Sequence, residues 1–489
     1  MGRLSILHLS CLSLLWAPLV TYGQGTKEVD KCYSCHTDIG STEAQMYSND
    51  VHFKAGVKCS DCHGGDPTLE DQDAAMSVSK GYIGVPKPSA IPAMCAKCHG
   101  SSKSSIKSEY HLNDVVDDFS EGVHGRALSQ NSDGPQCVSC HGIHNIMKIS
   151  DRRAPVFATN VTKTCAKCHA DPDYMKKFNP GIPVDQFEKY LTSVHGKRNQ
   201  AGDEKAATCV SCHSNHLIRP VKDPRSSVYP TNIPLTCAKC HSNKTYMAEY
   251  HIPTNQYENY SQSVHGIALL KNSDLSAPAC NSCHGNHGAV PPGLSSVASV
   301  CGTCHQANAD LFDKSPHMAA FAKRKLPGCV VCHSNHLVKP PTDTMVGFDS
   351  SSVCGSCHLN NGADPADSVI ILVRRALDSL TYGRSDAAAS IERAEQLGMD
   401  VSDAKYSLKD VNQSIVESRV QVHGLNAAQV MTAAGPGLKI VAEAQQGAAA
   451  AIYEFYFRRK GLGVATLAIT FLVIVLFLKI RQIERKSRR

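Results

Sequence analysis

Three hydropathic regimes divide the chain. Residues 1–23 carry Arg3 and then an apolar run through "LSLLWAPLV", ending in the small-residue stretch "TYG". From there to about residue 362 no helical or strand period is sustained. Apolar residues come singly among Pro, Ser, Gly and Asn, which predicts short helices joined by loops. After Cys357 the pattern changes. Val369, Leu372, Val373, Ala376, Leu377 and Leu380 fall on one helical stripe, and Leu408, Val411, Ile415 and Val422 on another. Stripes of this kind serve core packing, so residues 363–457 are expected to form a helical bundle. "AAQVMTAAGPGLKIVAEAQQGAAAAIYEFYF" reads as one or two alanine-rich helices leading into "GLGVATLAITFLVIVLFL", residues 461–478. Eighteen residues without a charge are long enough to cross a bilayer, and the transmembrane helix is placed at 461–480.

Cysteine changes the picture of the loop-rich region. The chain has 23 cysteines, and 22 of them fall into eleven copies of Cys-x-x-Cys-His. The pairs are Cys32 and Cys35, Cys59 and Cys62, Cys95 and Cys98, Cys137 and Cys140, Cys165 and Cys168, Cys209 and Cys212. The series continues with Cys237 and Cys240, Cys280 and Cys283, Cys301 and Cys304, Cys329 and Cys332, and Cys354 and Cys357. The histidines that follow are His36, His63, His99, His141, His169, His213, His241, His284, His305, His333 and His358. This is the attachment motif of c-type haem. Two thiols three positions apart can each form a thioether to one porphyrin edge, and the next histidine lies under the ring as proximal iron ligand. Structural zinc also uses Cys-x-x-Cys, but eleven repetitions with histidine directly after the second cysteine favour haem. A disulfide framework gives that histidine no role. Eleven covalently bound haem c groups are therefore expected.

Charge and the two apolar ends bear on location. The formal net charge is +6, yet eleven haems carry two propionates each and could take the holoprotein to roughly −16. Nothing in this balance suggests a nucleic-acid partner. Residues 1–23 read as a secretory signal peptide; an uncleaved anchor is the alternative. Cys11 suggests a lipoprotein, but His8 stands where a lipobox needs an aliphatic residue. Behind the apolar span, residues 481–489 form a basic tail, and "KIRQIERKSRR" carries six Lys/Arg against three in the preceding "RRK". That favours a cytoplasmic C-terminus. The expected location is the bacterial cytoplasmic membrane, single-pass, with the main domain, residues 24–362, in the periplasm.

The cysteine motifs repeat in pairs. "MCAKCHG", "TCAKCHA", "TCAKCHS", "VCGTCHQ" and "VCGSCHL" open units at Cys95, Cys165, Cys237, Cys301 and Cys354; "CVSCHGIH", "CVSCHSNH", "CNSCHGNH" and "CVVCHSNH" close four of them. Cys32 and Cys59 begin a shorter first unit, and the unit opened by Cys354 is not completed. Within each unit an aromatic-bearing segment ends in histidine, as in "MYSNDVH" and "DFSEGVH". From Cys32 to His358 there is one motif per 30 residues or so, too little chain for an apolar core around each. The fold class expected is mainly α with extensive loops: a multihaem domain of two-haem repeats, then a helical bundle and one transmembrane helix.

The 24 histidines leave twelve once the eleven motif histidines and His8 are set aside. Five stand mid-unit: His52, His124, His195, His265 and His317. Four close units: His144, His216, His287 and His336. His423, in "QVHG", echoes "SVHG" and is expected to complete the half unit begun at Cys354. His111 and His251 share the context "EYH"; one would supply the eleventh distal ligand and the other would be spare. His216 lies three residues after His213 and is expected to serve another iron. If one iron were open, as an enzyme would need, the site at Cys59 is the best suspect, because "CSDCHGGD" lacks a closing histidine; Lys58 and Asp66 beside it read as surface residues.

These motifs resemble the multihaem c-type cytochrome superfamily of bacterial respiration from Cys32 to His358. "ESRVQVHGLN" and the alanine-rich helix after it resemble the long-helix ends of the pentahaem nitrite reductases and octahaem hydroxylamine oxidoreductases. That likeness implies a helix-borne histidine as haem ligand, His423 here, and a homo-oligomer formed through the long helices. The chain departs from those enzymes in having no Cys-x-x-Cys-Lys motif, in haem count and in its C-terminal anchor, and their activity is not carried over. The function expected is electron transfer between the quinol pool, or a quinol-oxidising inner-membrane subunit, and periplasmic or outer-membrane acceptors in anaerobic respiration. The alternative is an oxidoreductase acting on a small nitrogen or sulfur compound at one open haem.

Overall fold

The computed structural model describes residues 30–100, 115–288 and 297–488. The signal-peptide region, Cys11, His8 and His111 lie outside the described residues. Helices, turns and loops make up everything described, with no strand among the described residues. The mainly α class read from the sequence holds.

The chain divides into two compact units. One comprises residues up to Asn179 together with Ser214–Ile218, the other Pro180–His213 and Arg219 onward. In the first unit the helices are short, such as Lys31–Asp38, Cys59–His63, Ile91–His99, Cys137–His141 and Val161–His169. Their length follows from the motif. Positions i, i+3 and i+4 share one helical face, so a single turn places both thiols and the imidazole together. A residue at positive φ follows each closing motif: Gly64, Gly142, Ser214, Gly285 and Ser334, in one unit or the other. That residue ends the turn and sends the chain away from its own motif. At Ser214 and Ser334 the side chain makes this conformation cost on the order of 1 kcal/mol or more.

The second unit has the same short turns, including Cys209–His213, Ile233–His241 and Cys280–His284, followed by the bundle. Its helices are α1 (Pro365–Gln396), α2 (Ser402–Ser407), α3 (Val411–Gln421) and α4 (Ala427–Ser487). The buried seam contains Val373, Leu377, Leu380, Ile391, Val411, Ile415, Val430 and Val441. Leu372, assigned to the first stripe by spacing, is exposed instead. Glycine lets the helices close up: a Cβ on Gly437 would lie 2.6 Å from the Ser414 Cβ and 2.8 Å from Leu380 Cδ2. The C-terminal half of α4 is apolar, unburied and long enough to cross a membrane.

Candidate cofactor-binding sites

The histidines meet in pairs, ring facing ring. Of the described motif histidines, ten stand opposite a second imidazole with ring centroids 5.9–6.2 Å apart. In the first unit the pairs are His99 with His52, His63 with His144, His169 with His124 and His141 with His216. In the second unit they are His241 with His195, His213 with His287, His305 with His265, His284 with His336, His358 with His317 and His333 with His423. A metal bonded end-on to two imidazoles at about 2.0 Å each puts the ring centres about 6 Å apart. The spacing therefore fits one iron between each pair.

The pairs follow one rule of register. Each mid-unit histidine reaches forward to the opening motif of the next repeat, as His52 does to His99 and His265 to His305. Each closing histidine reaches back to the closing motif of the repeat before, as His144 does to His63 and His336 to His284. The backward pairs have nearly parallel rings, 12–26° apart. Forward pairs in the first four repeats are crossed by 35–82°, while His317 and His358 lie at 22°. Backbone hydrogen bonds reproduce the same shift of one repeat. The amide of Val51 donates to the Ile146 carbonyl, Val123 to Ile218 and Val264 to Val338, at 2.8–2.9 Å. Each joins the start of a mid-unit turn to the residue two after a closing histidine.

Local chemistry aims the mid-unit rings. Tyr47, Tyr190 and Tyr260 stand five residues before His52, His195 and His265. Each donates its hydroxyl to the carbonyl two residues ahead of the following motif, at Val57, Ala207 and Pro278. Burial pushes the Tyr190 hydroxyl up to about 12, so it remains a donor. Ser193 and Ser263 cap the turns by accepting from Gly196 and Gly266. A Cβ on Gly266 would fall 1.9 Å from the Tyr260 carbonyl oxygen, so the glycine after the histidine is sterically required.

Burial at many of these rings favours the neutral imidazole, the form that binds metal. Burial lowers the pKa of His99, His141, His169, His195, His216 and His287. It pushes His124 down to about 4, with the nearby His169 adding to the effect. Several rings have an Nδ1 partner that leaves Nε2 for a metal: His52 with Asp50 at 2.9 Å, His63 with the Gly84 carbonyl at 2.8 Å and His358 with Asp364 at 2.5 Å; His423 Nδ1 lies 3.0 Å from the Val420 carbonyl, with the Asn308 amide 3.4 Å from both ring nitrogens. Burial would raise Asp50, but hydrogen bonds from the His52 ring and amide and the Ile146 amide outweigh it and hold the carboxyl below its ordinary range. Burial pushes the Cys59 thiol up to about 12 and the Cys212 thiol up to about 11. Neighbouring motifs touch through their cysteines, with Cys95 hydrogen-bonded to Cys137, Cys237 to Cys280 and Cys301 to Cys329.

Two placements differ from the sequence reading. His423 faces His333, the motif at Cys329, because His317 already occupies the far side of His358. The Cys59 site is not the open one. His144 comes from the next repeat to face His63, while Asp66 pairs with Lys80 at 3.2 Å on the surface. His251 is exposed at positive φ, and among the described residues no imidazole faces it or His36. The carboxylates on His52 and His358 were not singled out from the sequence; Asp two residues before a candidate ligand was the available signal for Asp50.

A family model described as cytochrome c3 matches residues 51–170, and one described as cytochrome c554 and c-prime matches residues 20–64. The first stretch contains four of the cysteine motifs and three complete imidazole pairs. No curated protein and no solved structure matches the chain.

Proposed function

We propose that the chain, similar to the cytochrome c3 and cytochrome c554 families over its N-terminal third and carrying a helix long and apolar enough to cross a membrane, is a multihaem c-type cytochrome that acts as an eleven-haem electron conductor. It is held at the outer face of the cytoplasmic membrane with its main domain in the periplasm. It passes electrons between the quinol pool, or an inner-membrane partner, and periplasmic or outer-membrane acceptors in anaerobic respiration. The observation that carries this reading is the set of ten imidazole pairs about 6 Å apart. When bound, each haem supplies reversible one-electron iron chemistry.

The chain's residues account for the rest. Each cysteine pair fixes one porphyrin edge, and each motif histidine binds iron from one side. His52, His124, His144, His195, His216, His265, His287, His317, His336 and His423 bind from the other. Two neutral histidines close both axial positions, which suits electron transfer over substrate chemistry and favours low potentials relative to a His/Met pair. Cysteines of successive motifs within a unit lie near enough to influence one another electrostatically, as Cys98 does Cys62 and Cys168 does Cys140, which supports closely spaced cofactors.

Purified protein should contain eleven haems by pyridine haemochrome. Low-temperature EPR of the air-oxidised form should show at least ten of them low-spin. Several high-spin centres per chain would sink the reading. The second reading, an oxidoreductase of a small nitrogen or sulfur compound, is favoured at one place: His36, which no imidazole faces among the described residues. A single high-spin haem that binds nitrite, hydroxylamine or sulfite and is lost in His36→Ala would support it.

A further inference from the structure

The residue two places before each mid-unit histidine caps the turn that carries it. In four repeats that residue is Gly122, Ser193, Ser263 or Ser315; in the first it is Asp50. The serines that cap through Oγ, Ser193 and Ser263, accept one amide each and return their own proton to a tyrosine carbonyl. Asp50 does more. Its Oδ1 accepts from the His52 amide at 2.8 Å and lies 2.9 Å from His52 Nδ1, and its Oδ2 accepts from the Ile146 amide at 2.6 Å. The side chain is 1 % exposed. An imidazole bound to iron through Nε2 stays neutral, so it cannot cancel the carboxylate's charge, and the ion-pair partner of Asp50 among the described residues is that same ring. A buried, uncompensated anion bonded to an axial ligand raises ligand basicity and favours the ferric state.

We propose that Asp50 is a positioning residue that sets the His52–His99 haem, attached at Cys95 and Cys98, at the low-potential end of its unit. This deepens the conductor reading and rests on it. The capping function needs only a short hydrogen-bond acceptor, as the serine repeats demonstrate; the charge is surplus to it. The field of Asp50 also reaches His144 and Cys62, so the haem at Cys59 should feel it more weakly, without a direct hydrogen bond to its axial ring.

The experiment uses the full-length holoprotein in lipid nanodiscs, as wild type, Asp50→Asn and Asp50→Ser. Asn keeps the shape and acceptor without the charge, and Ser reinstates the cap of the sister repeats. EPR-monitored redox titration can single out the haem concerned. Its two rings are crossed by 82°, more than any other pair, and crossed imidazole planes leave two iron d orbitals close in energy, giving the most anisotropic low-spin signal. In both variants that signal should persist. Its haem should become about tenfold easier to reduce relative to the others, a rise of about 59 mV for one electron. An unchanged midpoint in Asp50→Ser, with haem content and spin state intact, would overturn the proposal and leave Asp50 a turn cap. Loss of low-spin signals already in the wild type would instead count against the conductor reading on which it rests.

Discussion

An imidazole works as an axial ligand only if it is neutral, aimed and held, and each condition is visible at single residues. His216 is half-buried, lowered by burial and set opposite His141 at 6.2 Å, although its neighbour three residues back, His213, faces His287. The intervening Ser214, at φ 72°, makes that divergence possible. In His216→Ala one low-spin haem should become high-spin at unchanged haem content, read by EPR and pyridine haemochrome. His216→Met should keep it low-spin and raise its potential, since Met/His ligation lies higher. Ser334, with φ 64°, marks a different cost. Replacing it by glycine should stabilise the protein by about 1 kcal/mol, because glycine enters that conformation freely; an unchanged thermal midpoint would argue that the strain is already relaxed.

Among the elements, the bundle depends on close helix approach and on one charged tie. Gly437→Val would drive methyl groups into Ser414 and Leu380 and should destabilise by about 1–3 kcal/mol, seen as a lower thermal midpoint. Arg419 on α3 donates to both carboxylate oxygens of Asp343, at 2.8 and 3.0 Å, and Thr381 on α1 adds a third bond. Burial acts to raise Asp343, but the bonds from Arg419 and Thr381 outweigh it and lower its pKa below the ordinary 3.8. A carboxyl lowered on folding contributes stability that is complete above its unfolded pKa and fades as pH falls through the folded value. The tie should thus be complete at neutral pH and weaken progressively as pH falls below about 4. Arg419→Ala should cost about 1–2 kcal/mol at pH 7, reduced by the partial exposure of the guanidinium, and much less at pH 3. Equal losses at both pH values would assign the effect to packing.

For the whole molecule, the decisive feature is that, among the described residues, each imidazole pair joins two different repeats or a repeat and the bundle. Mid-unit turns reach forward, closing loops reach back, and the amide of Val123 is satisfied by the carbonyl of Ile218, nearly a hundred residues on. Repeats linked in this way stabilise their neighbours rather than themselves. At the last closing motif, the partner of His333 is His423, which follows α3 of the bundle. The bundle thereby supplies one imidazole of a pair as well as leading into the apolar helix. His423→Ala should open one haem to carbon monoxide in the reduced state, while leaving haem content unchanged. Ending the chain after Phe457 should release it from the membrane fraction with its low-spin spectrum retained, because the residues removed contain no histidine.

The sequence by itself determined what is local. Cys, Cys and His at i, i+3 and i+4 fall on one helical turn whatever surrounds them, so the motif turns and their cofactor chemistry were legible at once. So were the helical bundle, from its 3.6-residue period, and the apolar span, from its length. Which imidazole faces which was decided only by the tertiary structure. His63 and His144, or His333 and His423, are separated by more than eighty residues, and several histidines of equal local context competed for each place. Spacing alone matched His423 to the motif at Cys354 and made Cys59 the suspect for an open site, because neither the one-repeat shift nor the pairing of His358 with His317 leaves a local trace. The carboxylate of Asp50 has the same origin. A turn cap is readable from sequence, but a buried charge bonded to an axial ring and to Ile146 exists only once the next repeat has folded over it.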